Sequence, residues 1–182
     1  EFALNDINEI YINKEKAKEF LATFKYPLYF FDFETYQDVV PKYDKTKPYQ
    51  QIPFQYSLHI LYSDGRLEHK EFLGDGINNP LYDIVGSMIK DLSKEGSIIA
   101  YNDSFEKSRI LELASIVEES KEELLSFIDR FIDLAYVFQH GYCYNKAMGG
   151  SFSIKSVLPA LFPSDEELNY KNLEGVHKGD EA

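Results

Sequence analysis

Asp32 and Glu34 stand two residues apart inside PLYFFDFETY (27–36), an otherwise apolar and aromatic run. On an extended strand side chains alternate, so the two carboxylates share a face. Taking a lone carboxylate out of water costs several kcal/mol or shifts its protonation, and a like charge beside it adds to that cost. A hard divalent cation relieves both effects, because Mg²⁺ and Mn²⁺ take carboxylate oxygens. Two such ions roughly 3.5–4 Å apart can stabilise the attacking and leaving oxygens of a phosphodiester displacement. A site of that kind draws carboxylates from several elements, and two further acidic clusters are candidates to supply them. One is YNDSFEK (101–107), the other HKGDEA (177–182).

Residues 13–24 have the stripe Ala17, Phe20, Leu21, Phe24 behind a capping Asn13, which predicts a helix stopped by Pro27. A strand over 28–36 comes next, then a polar loop over 37–52. Alternating residues on either side of Asp64-Gly65 predict a hairpin over 53–73. Leu81, Ile84, Val85, Met88, Ile89 and Leu92 recur at helical spacing, and SIIAYN (97–102) reads as a short strand running into a helix over 103–117. Residues 122–138 carry further helical periodicity, GYCYNKAMGGS reads as a loop, and FSIKSVLPALF as a short helix. This order predicts an α/β fold, a mixed sheet covered by helices. Strand 28–34 would be central, with 97–102 parallel beside it and the hairpin on its other side.

The chain has 182 residues, 44% of them hydrophobic and 15% aromatic, enough for one sizeable packed domain. A single cysteine, Cys143, excludes an internal disulfide and a cysteine-rich zinc site. No apolar run reaches the roughly 18 residues that span a bilayer. The expectation is a protein of a reducing cytoplasm with no membrane partner. The net charge of −12 argues against a general polyanion-binding surface, but not against acidic groups offset by metal ions. A first residue that is Glu, and an end at Ala182 beside the third cluster, raise the expectation of a C-terminally truncated piece of a longer polypeptide.

FFDFET, YNDSFEKSRI, FIDLAYVF and SFSIKSVLPAL occur in the order seen in 3′–5′ exonucleases of the DEDD superfamily. The chain resembles that superfamily over roughly residues 26–182, and within it a bacterial branch defined only as an uncharacterised domain. Residues 1–25 would be a helical lead-in. The resemblance implies an RNase H-like mixed sheet with helices on both faces and a two-metal site for Mg²⁺ or Mn²⁺. Its substrates would be single-stranded 3′ ends of DNA or RNA, and its partners the other domains of a parent chain. Asp32 and Glu34 match its D-x-E motif. Asn102, Phe105 and Glu106 match its second motif, with Glu where Asp is usual; Asn102 and Phe105 would contact substrate. In the third motif Glu181 ranks first as the fourth ligand, Asp180 second and Glu174 third, with Asp133 a further candidate. His177 would be the general base. It precedes Glu181 by four residues, the spacing of tyrosine-type members, and Tyr170 with Glu174 repeats that spacing.

Plainer readings stand beside these. Asp103-Ser104-Phe105-Glu106 has the form of a capping box, which would occupy Glu106 without any metal. Lys107 and Arg109 read as solvated surface, while Tyr36 and Tyr49 are candidates to stack on a base. A nuclease-like fold that only binds, without cleaving, is the rival function. The altered second motif and the acidic balance favour it.

Overall fold

The computed structural model describes residues 10–165 and Leu168. Its elements in order are β1 (Tyr11–Ile12), α1 (Lys14–Leu21), β2 (Leu28–Tyr36), β3 (Ile52–Leu61), β4 (Leu67–Leu73), α2 (Pro80–Asp91) and β5 (Ser97–Ala100). They continue with α3 (Ser104–Ile116), α4 (Lys121–Ile128), β6 (Phe131–Asp133), α5 (Tyr136–Gln139), β7 (Cys143–Tyr144) and α6 (Ile154–Leu161). Two compact units are present. Phe24–Ile132 form one, and the described residues up to Thr23 group with those from Asp133 onward in the other.

The main sheet has the order β4-β3-β2-β5-β6. β2 runs antiparallel to β3 and parallel to β5, and β3 pairs antiparallel with β4. The expected α/β fold with strand 28–34 in the middle is therefore the one observed. Period two explains its filling. Tyr29, Phe31 and Phe33 from β2, with Tyr56, Leu58 and Ile60 from β3, enter one core with residues of α2, α3 and α4. α2 presents Leu81, Ile84, Val85 and Met88 to that core, and Asn79 caps it by accepting from Leu81 N at 3.0 Å. Tyr56 is fully buried, and its hydroxyl bonds to Ser87 and Asp91 Oδ2, each at 2.7 Å.

The span 122–138 departs from the sequence expectation. It is not continuous helix: α4 ends at Ile128, Phe131–Asp133 form the strand β6 beside β5, and α5 comes after it as a single turn. A three-residue strand is too short to show a period of its own, and pairing with the sheet outweighs local helical periodicity. The loop at 141–151 also contains β7, which pairs with β1 through Tyr11–Tyr144 and Ile12–Cys143.

In the second unit, Met148, Val157 and Ala160 form a small core against which Phe138 and Leu161 pack.

Candidate functional site

The even positions of β2 project to the face opposite its core side chains Phe31 and Phe33. Asp32 lies across from Ser57 and Glu34 across from Gln55, with a register shift between Glu34 and Thr35. A bulge of this type bends a strand and re-aims the side chains beyond it. Asp32 keeps contact with water, yet the protein atoms around it desolvate it enough to raise its carboxyl pKa above the ordinary 3.8. Its side chain is nevertheless exposed, and among the described residues its carboxylate makes no hydrogen bond and no ion pair.

The parallel register brings the second cluster to the same end of the sheet. Phe30 pairs with Ile99, and β5 stops one residue later at Ala100. Tyr101, Asn102 and Asp103 then turn the chain into α3 beside the stretch of β2 that holds Asp32. Asn102 takes the left-handed conformation (φ 65°), which a short polar side chain tolerates, and its Oδ1 accepts from Ser104 Oγ at 3.3 Å. Glu106 is only 4% exposed. It heads the buried stripe of α3, ahead of Ile110, Leu113 and Ala114. It lies in the first turn of α3, where the helix dipole favours negative charge.

Two readings of this turn need correction. Asp103 occupies the N-cap position but makes no side-chain capping bond; it pairs with Lys107 Nζ at 2.6 Å. Its helical backbone (φ −59°, ψ −10°) departs from the extended geometry in which a cap side chain reaches N2 or N3. Arg109 is not a solvated residue either. Its side chain is 12% exposed, Nη2 holds Glu112 Oε1 at 2.8 Å, and Cζ lies 5.0 Å from the Phe105 ring. Neither was readable from residue type, because both depend on which neighbour wins a local competition for the charge.

Asp133 ends β6, and its Oδ1 accepts from Ala135 N at 2.8 Å. With Lys16, Phe20 and Tyr136 it lines a cavity of about 370 Å³ in the second unit. His177, Glu181, Asp180 and Glu174 lie outside the described residues. Among the described residues no group of three or more His, Cys, Asp and Glu side chains is placed to hold a metal ion. Tyr36, two residues past Glu34, packs against the main core, and Tyr49 is 62% exposed.

Residues 29–153 match the family described as "Domain of unknown function (DUF2779)". The chain belongs to this family. The DUF2779 chain is 29% identical over 168 residues to "Uncharacterized protein MG366" of Mycoplasma genitalium, a match covering 84% of this chain and 25% of that protein. It is 30% identical over 195 residues to the MG366 homolog of Mycoplasma pneumoniae, covering 99% of this chain and 29% of the relative. With "Uncharacterized protein UU173" of Ureaplasma parvum it shares 31% identity, over 94% of this chain and 27% of the relative. The chain thus spans between a quarter and three tenths of the length of these curated relatives. The match to an uncharacterised domain with bacterial relatives fits the coarser part of the sequence expectation. No solved structure matches the chain, and no helix among the described residues is long and apolar enough to cross a membrane.

Proposed function

We propose that this DUF2779 domain is a divalent-metal-dependent 3′–5′ exonuclease, hydrolysing phosphodiesters of single-stranded DNA or RNA by a two-metal mechanism. The observation that carries the reading is Asp32. Its side chain is exposed in the middle of β2, yet neighbouring protein atoms partly desolvate the carboxylate; it shares a face with Glu34 and has no donor or cation beside it among the described residues. A carboxylate that neighbouring protein atoms desolvate is stabilised by a cation beside it. Carboxylate oxygens are the donors that Mg²⁺ and Mn²⁺ prefer, so the chemistry of the Asp32 and Glu34 side chains suits such an ion.

Asp32 and Glu34 would hold the ions from β2, and Glu106 would approach from the first turn of α3. Glu181 is the first choice for the fourth carboxylate and His177 for the group that takes a proton from the attacking water, both by resemblance. A neutral imidazole can accept that proton. The bound ions would supply neutralisation of the charge that develops on the phosphate. Asn102, in the turn before α3, and Phe105, in the first turn of α3, would position the substrate.

Mn²⁺-dependent shortening of a 3′-ended oligonucleotide, with a circular single strand left intact, is the expected behaviour. Asp32→Asn should abolish that cleavage while the thermal stability stays equal or rises, since a desolvated charge has gone. Wild-type cleavage by Asp32→Asn rejects the assignment of Asp32. A chain that binds oligonucleotides but neither binds Mn²⁺ in calorimetry nor cleaves supports the rival reading, a binding module that has lost its chemistry.

A further inference from the structure

A cavity of about 550 Å³ opens at the end of the sheet where β2 and β4 stop and β3 begins. That size falls within the range of small-ligand sites, roughly 300–1,000 Å³. Its aromatic walls are Tyr36, Tyr43 and Phe54, and Pro80 closes one side. The Tyr36 and Phe54 rings stand 6.0 Å apart at 53°. Tyr36 OH donates to Tyr43 OH at 3.0 Å, which points on toward the carbonyl of Asn78 at 3.4 Å. Burial, and then this bond to Tyr43, raise the pKa of Tyr36, so its hydroxyl stays protonated.

The walls are held from behind. Gly74 N donates to Phe54 O at 2.7 Å, and a Cβ added at Gly74 would sit 3.2 Å from Pro80 Cβ. Asp75 accepts from Ile77 N at 2.9 Å, from Asn78 N at 2.8 Å and from Asn78 Nδ2 at 2.6 Å, which fixes the loop from β4 into α2. At the mouth, Lys42 Nζ lies 5.5 Å from the centre of the Tyr36 ring and 2.9 Å from Asp38 Oδ2. Asp38 matches the charge of Lys42, so the mouth is close to neutral and still offers N–H donors. Flat π-walls, polar groups at one rim and no net charge suit an uncharged heterocycle better than a phosphate.

We propose that this cavity receives one unpaired nucleobase of the bound strand, an inference that rests on the exonuclease reading. Tyr36 follows Glu34 by two residues on β2, about 7 Å along the strand, but past the register shift it packs against the core side of the sheet. A strand whose phosphate lies at Asp32 and Glu34 would pass around the end of β2 to put a base in the cavity. The base stacks against Tyr36 and Tyr43, and Lys42 meets its carbonyl or ring nitrogen.

The test is binding of fluorescein-labelled single-stranded oligonucleotides by the full chain in EDTA, where cleavage is suppressed. An abasic residue is placed at each of the last three 3′ positions in turn. One position should weaken binding by the wild-type chain about ten-fold, the loss expected for one base–aromatic stack. Tyr43→Ala should weaken binding of the intact oligonucleotide by a similar factor and remove the abasic effect, whereas Tyr43→Phe should keep both. Lys42→Ala, an exposed site that folding does not need, should lose two- to five-fold. Equal binding of all abasic oligonucleotides by the wild-type chain overturns the proposal. So does a folded Tyr43→Ala with unchanged binding. Base dependence without Mn²⁺-dependent cleavage would sink the exonuclease reading and keep the pocket; cleavage without base dependence would do the reverse.

Discussion

Arg130 offers a sharp test of how the candidate site is held. It lies just past α4, and its guanidinium spans the turn that enters β5. Nε donates to Gly96 O at 2.8 Å, Nη2 to Glu95 O at 2.7 Å, and Nη1 to Ser93 O. Its Cζ lies 5.6 Å from the Tyr29 ring and 5.7 Å from the Phe127 ring. Burial lowers the Arg130 pKa, but from so high a value that the charge persists. A hydrogen bond from a charged donor contributes roughly 1.5–3 kcal/mol when it is shielded. The bond to Gly96 is partly shielded; the other two reach solvent, where water replaces much of them. Together with the lost ring contacts, Arg130→Ala should cost about 3 kcal/mol. In a chain of this length that lowers Tm by about 6–12 °C. Arg130→Lys keeps the charge but cannot fork, and should lose about two-thirds as much. Urea denaturation monitored by far-UV circular dichroism, with an unchanged slope, measures both. A loss below about 0.5 kcal/mol for Arg130→Ala, or wild-type stability for Arg130→Lys, would show that the fork fixes nothing.

Two further outcomes rest on neighbouring backbone and loop geometry. Gly96 has φ 92°, and a Cβ there would lie 2.2 Å from Pro27 O, so Gly96→Ala should cost at least ~3 kcal/mol in the same denaturation assay. Asp75 accepts three hydrogen bonds from Ile77 and Asn78, which lower its carboxyl pKa below the ordinary 3.8. A depressed carboxyl stabilises the fold above its unfolded value, and that contribution fades as pH falls through the folded value. Asp75→Ala should therefore melt below wild type at pH 7, with the gap closing on acidification; a gap that stays constant down to pH 2 refutes the sign.

The centre of the fold was legible because its signals are periodic and local. The alternation through Tyr29, Phe31 and Phe33 marks one buried face, and Asp64-Gly65 marks the hairpin, where Gly65 N donates to Tyr62 O. The same alternation is enough to put Asp32 and Glu34 on one face. What escaped depends on distant or competing partners. Phe131–Asp133 become a strand only because β5 offers an edge, and FIDLAYVF fits a helical stripe equally well on its own. β1 and β7 pair across more than a hundred residues, with two residues on each side. Asp103 had a capping pattern, yet Lys107 claims its carboxylate. The Arg130 fork binds backbone carbonyls, which carry no residue-specific mark in a sequence. The cavity beside Tyr36 was visible only in part: Tyr36 stood out, whereas Phe54 and Pro80 meet it through the register shift after Glu34 and the turn before α2.

Ser97 has a part in the order in which the molecule assembles. Its N–H donates to Lys25 O at 2.8 Å and its Oγ accepts from Lys25 N at 3.0 Å, while the next residue, Ile98, donates to Arg130 O at 2.9 Å. Lys25 and Arg130 lie near the two ends of Phe24–Ile132, so the start of one short strand clasps the entrance and the exit of the whole central unit. During synthesis that unit is complete before the residues from Asp133 onward have emerged, and it can fold from a continuous stretch of chain. The outer unit, by contrast, joins segments separated by all of Phe24–Ile132. Closing so long a loop from a random coil is entropically unfavourable. With the central unit already folded, the two ends are neighbours and most of that penalty is gone. The discontinuous unit should accordingly fold second and unfold first.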